Sequence, residues 1–289
     1  MKSMPMRSYS RGISLIEILV SLVIGLVVVG AVLVSMIGSG KAGRYQAAYT
    51  QMNEDAQIGL SILSRELQQA GASLPTGLAP VVPATVPPTM ALVFASLAGG
   101  TYVIGCDTGF VDPRAVPLVC DVGTQAAFEV VYEADLRTTA PTAANIPSDC
   151  LGNRIAVGPP YIARNRYFIS VSAYGRPELS CTSAAAALPP QPLLENIEAM
   201  AVSYGVAVTA APTQVVRYVT ATDITGVGPA EWFNVISVRL CLVVRSTDPV
   251  LDGEDFPAYT DCAGAVQTPT DRYLRRSYFT TAAIRNRMP

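Results

Sequence analysis

Residues able to do chemistry are few in this chain, and one sits in an expensive place. Glu17 follows Gly12 in RGISLIEILV, and beyond it Ile18 to Gly40 are 23 uncharged positions. A carboxylate inside a membrane costs on the order of 2.5 to 3.5 kcal/mol at a helix centre, and less near an end where it reaches the interface. Either a positive partner offsets that cost, or Glu17 is a helix-starting acid held by the helix dipole and by snorkelling. The physics of the segment alone leaves both readings open.

The other candidates are weaker. With no histidine among 289 residues, the usual general base, the commonest metal ligand and the Ser/His/Asp and Cys/His nucleophile arrangements are all missing. Glu129 and Glu133 fall on one face of a strand and could serve a carboxylate hydrolase, but no further catalytic group accompanies them. Asp248, Asp252, Glu254 and Asp255 could hold calcium; their spacing does not fit an EF-hand, and a solvated acidic loop is the plainer reading. Gly38, Gly40 and Gly43 match GxGxxG, yet they follow an apolar helix without a βαβ pattern, so a flexible membrane exit is expected rather than a cofactor site. No cofactor is expected. A net charge of -2 gives no basic face for nucleic acid.

Cys106, Cys120, Cys150, Cys181, Cys241 and Cys262 all lie after the apolar run and include no CxxC, which points to structural disulfides in an oxidising compartment rather than to zinc or redox chemistry. Six cysteines allow fifteen pairings. A bridge from Cys241 to Cys262 is the first choice, because Cys241 alternates away from the apolar residues of its strand. Cys106 with Cys120 and Cys150 with Cys181 complete the sequential set.

These residues must be positioned by a long helix and a sheet. Lys2, Arg7 and Arg11 precede the apolar run without any acid, so the start is expected to stay cytoplasmic and the rest to cross a membrane once. After Gly40 the helical pattern continues through Tyr45, Tyr49, Met52, Ala56, Leu60, Leu63, Leu67 and Ala70, and Gly71 stops it. Prolines 75, 80, 83, 87 and 88 mark a surface connection. Strands are expected over 127–134, 166–174, 197–208, 214–220, 233–245 and 277–284, where β-branched and aromatic residues recur between breakers. No helical segment of comparable length separates them, so the sheet is antiparallel. The fold class is α+β, a long amino-terminal helix packed on an antiparallel sheet. Arg272, Arg275, Arg276, Arg285 and Arg287 crowd the carboxyl end, as a solvated edge or as a contact for acidic partner subunits.

Gly12, Ile13, Ser14, Leu15, Ile16 and Glu17 resemble the type IV prepilin motif: a short basic leader, a glycine, a hydrophobic residue, and glutamate as fifth residue of the mature chain. Ile13 and Ser14 stand where that family usually has phenylalanine and threonine. The resemblance implies cleavage by a prepilin peptidase between Gly12 and Ile13, methylation of the new amino group of Ile13, and attraction of Glu17 to the amino terminus of a neighbouring subunit during assembly. Losing the leader removes three basic residues and takes the net charge from -2 to -5. The parts are then a leader at 1–12, a transmembrane and assembly helix at 13–40, an amphipathic continuation at 41–71 and an extracytoplasmic β-rich domain at 72–289.

ILSRELQQAGA, LLENIEAMAVSYGV, WFNVISVRLCLVVRS and RRSYFTTAAIRNRMP resemble recurring blocks of the PilW group of minor pilins. That resemblance implies a non-enzymatic minor pilin that helps initiate type IV pilus assembly and twitching motility. It would join other minor pilins and the major pilin in a tip or priming complex, with a tip adhesin as a further partner. The alternatives are a minor pseudopilin of type II secretion, which shares leader, helix and sheet, and, more remotely, a membrane-tethered periplasmic hydrolase.

Overall fold

A computed structural model describes residues 12, 14–73, 101–158, 160–184, 186–208, 211–251 and 257–287. The chain divides into two compact units, Met1–Ala47 and Ala48–Pro289.

Helix α1, Leu15–Gln69, is helical at every residue, including Gly25, Gly30, Gly38, Gly40 and Gly43. The stretch expected as a flexible membrane exit, Gly38 to Gly43, is thus helical: no proline interrupts the run, and each glycine costs only about 1 kcal/mol of helix propensity. Its amino-terminal part has mean hydropathy 2.9 over 18 residues and no buried position, long and apolar enough to cross a membrane.

Within the second unit, Ala48, Met52, Ala56, Gly59, Leu63 and Leu67 are the buried stripe of α1, each three or four residues from the last. Tyr49 lies outside the stripe and is exposed. Gly59 belongs to it because a Cβ there would lie 3.0 Å from the Leu194 side chain and 3.1 Å from that of Leu242. Gly71 ends the helix at φ +71°, a left-handed conformation that suits glycine, and its N–H donates to the Val131 carbonyl at 2.9 Å. The Asn286 amide, from the far end of the chain, donates to the carbonyls of Gln68, Gln69 and Ala70, groups that a helix end leaves without intrahelical partners.

The strands form two antiparallel sheets. The first is a meander in sequence order: β1 (Val103–Cys106), β2 (Ala127–Ala134), β3 (Tyr161–Val171), β4 (Pro177–Ser183) and β5 (Gln191–Glu195). Asn196, at φ +64°, joins it to the second: its N–H donates to the Pro177 carbonyl while its own carbonyl accepts from Arg245. The chain changes sheet across that one residue. The second sheet adds β6 (Ile197–Val206), β7 (Arg217–Val219), β8 (Val235–Arg245) and β11 (Arg275–Ala283) in the order β11, β8, β6, β7. Between β7 and β8 lies a short helix, α2 (Ala221–Val227), whose Thr220 and Asp223 form a capping box. A small ribbon, β9 (Tyr259–Thr260) with β10 (Val266–Gln267), precedes β11.

Strand β8 departs from expectation on one point. Its apolar residues alternate as the sequence indicates, but Ser237, Cys241 and Val243 on the opposite face are also buried and only Arg239 is exposed. Cys262, in the turn between β9 and β10, is bonded to Cys241 and holds the ribbon to the strand, so this face is partly covered as well. The α+β class stands, with helix residues 48–70 packed on antiparallel sheets.

Candidate functional site

The amino-terminal segment is assembled from very local interactions. The Ser14 carbonyl accepts from the Glu17 and Ile18 amides at 3.0 and 3.3 Å and so opens the helix, and the Ser21 hydroxyl returns a bond to the Glu17 carbonyl at 2.7 Å. Glu17 therefore lies in the first turn, where the helix dipole favours a carboxylate. Gly12, just upstream, is exposed with no heavy atom within 4 Å of where a Cβ would stand. Ile13 lies outside the described residues. Leu15, Ile16, Leu22, Leu26 and Val34 are each more than 60% exposed, part of an exposed apolar surface along residues 15–37. Such a surface needs lipid or other helices around it. It is a binding surface along its whole length rather than a catalytic pocket.

The carboxylates considered for hydrolysis are already engaged. Glu129 is fully buried and sits between two arginines, accepting from Arg166 Nε at 2.5 Å and Arg164 Nη2 at 2.7 Å. Arg166 is itself fully buried and donates onward to the carbonyls of Pro113 and Ala115 at 2.8 and 2.7 Å, so the ion pair also holds the loop after β1. Glu133 accepts from the Ser73 hydroxyl at 2.8 Å. These are packing roles.

The sulfur atoms pair as Cys106–Cys120, Cys150–Cys181 and Cys241–Cys262. Each bridge ties one strand, β1, β4 or β8, to a loop, and in the chain-entropy model a loop of 14 to 31 residues contributes roughly 3 kcal/mol. Of the acidic loop, Asp248 is exposed, Asp252, Glu254 and Asp255 lie outside the described residues, and no metal-binding group of three or more ligands occurs among the described residues. Of the carboxyl-terminal arginines, Arg275 is bound by Glu198 and Asp271, Arg272 donates to the Leu251 carbonyl, and Arg276 lies over Tyr278.

One buried polar cluster has no local sequence signal. Asn165 on β3 donates to Glu66 of α1 at 2.9 Å and to the Tyr132 hydroxyl at 3.2 Å, and its oxygen accepts from the Cys150 amide. Burial pushes the Glu66 carboxyl up, against the opposing pull of hydrogen bonds from Asn165 and Tyr167. Burial, together with the Glu66 charge, also pushes the Tyr132 and Tyr167 hydroxyls up. Ninety-nine residues separate Glu66 from Asn165, so only the folded chain brings them together.

Two family models match at separate places. Residues 7–33 match the prokaryotic N-terminal methylation motif, and residues 166–286 match type IV pilus-assembly protein W. Over these two stretches the chain resembles a type IV pilin-like protein of the PilW family. Its methylation-motif match holds Gly12, Ile13 and Glu17 together with most of the exposed apolar surface, and its PilW match runs from β3 to the last 3₁₀ turn, Arg285–Arg287. Among solved structures, a type IV-like pilin from Thermus thermophilus matches with 12% identity and TM-score 0.39, covering 82% of this chain and 97% of that one. No curated protein matches. The two matches together support a pilin-like role in type IV pilus assembly.

Proposed function

We propose that this chain is a minor pilin that is cut between Gly12 and Ile13, methylated on the new amino group, and joined to other minor pilins in a complex that primes the pilus and stays at its tip. The observation that carries this reading is the apolar surface of α1: its large hydrophobic side chains between residues 15 and 37 are exposed, and the methylation-motif match over residues 7–33 supports reading Glu17 as the assembly acid. In the inner membrane lipid covers that surface; in the filament the helices of other subunits do. The described part of the second unit then lies on the periplasmic side, where its three disulfides are stable. Glu17 is proposed to pair with the methylated amino terminus of a neighbour, an attraction far stronger in a low-dielectric surrounding than in water.

The test is intact-mass analysis of the full chain expressed with and without prepilin peptidase. The expected product begins at Ile13 and carries one added methyl group. A chain that keeps residues 1–12 in the presence of active peptidase would overturn the reading. A deletion strain separates the pilus from the secretion pseudopilus: loss of surface pili and twitching is expected, with exoprotein secretion intact.

A further inference from the structure

Sheet edges are templates for further strands, and folded proteins blunt them by shortness, proline, bulges or charge. Three of the four edges here are blunted. β1 has four residues, β7 has three, and β5 contains Pro192 and pairs with β4 through a register shift at Leu179/Ser180. The fourth, β11, is different. Its nine residues pair with β8 in unbroken register, and it has no proline.

The direction of its backbone groups follows from the ladder. The Ile284 amide donates to the Ile236 carbonyl, and the Ser246 amide donates to the Leu274 carbonyl, so the even-numbered residues of this strand exchange bonds with β8. Antiparallel pairs alternate, and the odd-numbered residues must turn their N–H and C=O groups away from the sheet. Arg245, opposite Arg275, agrees with this parity, since its amide donates the other way, to Asn196. The Ser277 hydroxyl donates to the Thr260 carbonyl, so the β9–β10 ribbon flanks the start of the edge. Beyond it, the outward N–H and C=O groups of Phe279 and Thr281 have no hydrogen-bond partner among the described residues.

Side chains beside this edge indicate the chemistry of an added strand. Phe279, 57% exposed, shares a sheet face with Arg239, which stands opposite Thr281. Arg239 is exposed and stacked over the Tyr218 ring at 4.1 Å, with no carboxylate in ion-pair range among the described residues. Arg276 and Arg285 are exposed as well, and Leu274 to Arg287 contains four arginines and no acid. A second copy of the same edge would bring the exposed Arg239, Arg276 and Arg285 against their own kind. An acidic strand meets them favourably, and arginine with aromatic neighbours is a residue set enriched in binding hot spots.

We propose that β11 accepts an extended, carboxylate-bearing strand from a neighbouring filament subunit, bonded through the backbone of Phe279 and Thr281 and held by Arg239. The subunit's identity as a filament neighbour rests on the minor-pilin reading above. Strand addition of this kind draws affinity from main-chain bonds and selectivity from the flanking side chains.

The test uses the full chain in detergent micelles with two acetylated peptides, Glu-Thr-Val-Thr-Val-Thr-Glu and the same peptide with lysine at both ends. The acidic peptide is expected to slow amide exchange at Phe279 and Thr281 by more than about tenfold, while the basic one does not. Thr281→Pro removes an outward donor outside the β11–β8 ladder, so melting should hold while protection at Phe279 disappears. Arg239→Glu, which leaves the backbone untouched, should reverse the preference between the peptides. No slowing, equal slowing by both peptides, or a dimer of the chain alone that buries these amides would each overturn the proposal. The chain is co-expressed with active prepilin peptidase and cleavage after Gly12 is scored on the same preparation: a cleaved chain with an unprotected edge rejects strand addition alone, and an uncleaved chain with a protected edge rejects the filament reading alone.

Discussion

Glu66 shows what a single buried acid does to this fold. Its hydrogen-bond donors, Asn165, Tyr167 and Tyr132, are neutral, and burial raises its pKa above the usual glutamate value against those bonds and the nearby Arg65 charge. The sign of the consequence is fixed by linkage: a group whose folded pKa is raised stabilises fully below its unfolded pKa, and that contribution is lost as pH rises through the folded value. The second unit should therefore weaken from mildly acidic toward neutral pH. Glu66→Gln keeps an oxygen for Asn165 and removes the titration. The variant should melt close to wild type near pH 4 and roughly 2–4 °C higher at pH 8, the shift that about 1 kcal/mol makes in a domain of this size. Parallel melting curves for the two proteins across that range would refute the account. Glu129 shows the contrasting case, an acid buried beside two arginines, where removing one member would strand the others in a dry site.

At the scale of elements, the seam between α1 and the sheets is closed by small residues. Gly59 lets the helix approach to where Leu194 and Leu242 would touch a Cβ, so Gly59→Leu should cost about 1–3 kcal/mol through overpacking, despite a better helix propensity. Thermal melting of the full chain in detergent measures it; a variant as stable as wild type would show that the seam yields. The same seam explains what the sequence could reveal. Met52, Ala56, Leu63 and Leu67 announce themselves by spacing, whereas Gly59 carries no hydrophobic signal and Tyr49, apolar in type, faces out. Strand β2 is legible to the residue because AFEVVYEA is dense in strand formers. β4 (PELSCTS) and β5 (QPLLE) are not, since proline and polar residues hide them. Their burial depends on neighbours far along the chain. The candidate site divides likewise: Gly12 to Glu17 is a linear motif, readable from adjacent residues, while the open edge of β11 exists only because of where that strand falls in the sheet order.

For the whole molecule, the question is why an acid is tolerated on an otherwise uncharged helix surface. The first-turn position stabilises Glu17 by no more than about 1 kcal/mol at an exposed site, less than the cost of placing it deep in hydrocarbon. A membrane anchor would be better without it. If the compensation comes from a neighbour's methylated amino terminus, it is available only in the assembled state, and the acid then selects for assembly over free diffusion in the bilayer. Glu17→Ala should therefore insert in the membrane and be cut after Gly12 as wild type, because neither step uses the pair. Recovery of the variant with other pilins from detergent-solubilised membranes should fall by about tenfold or more, the effect of losing roughly 1.4 kcal/mol. Glu17→Gln, which keeps shape and loses charge, should fall nearly as far, and Glu17→Asp less. Recovery unchanged in both Ala and Gln variants would reduce Glu17 to a helix-starting residue, with assembly driven by the apolar surface alone.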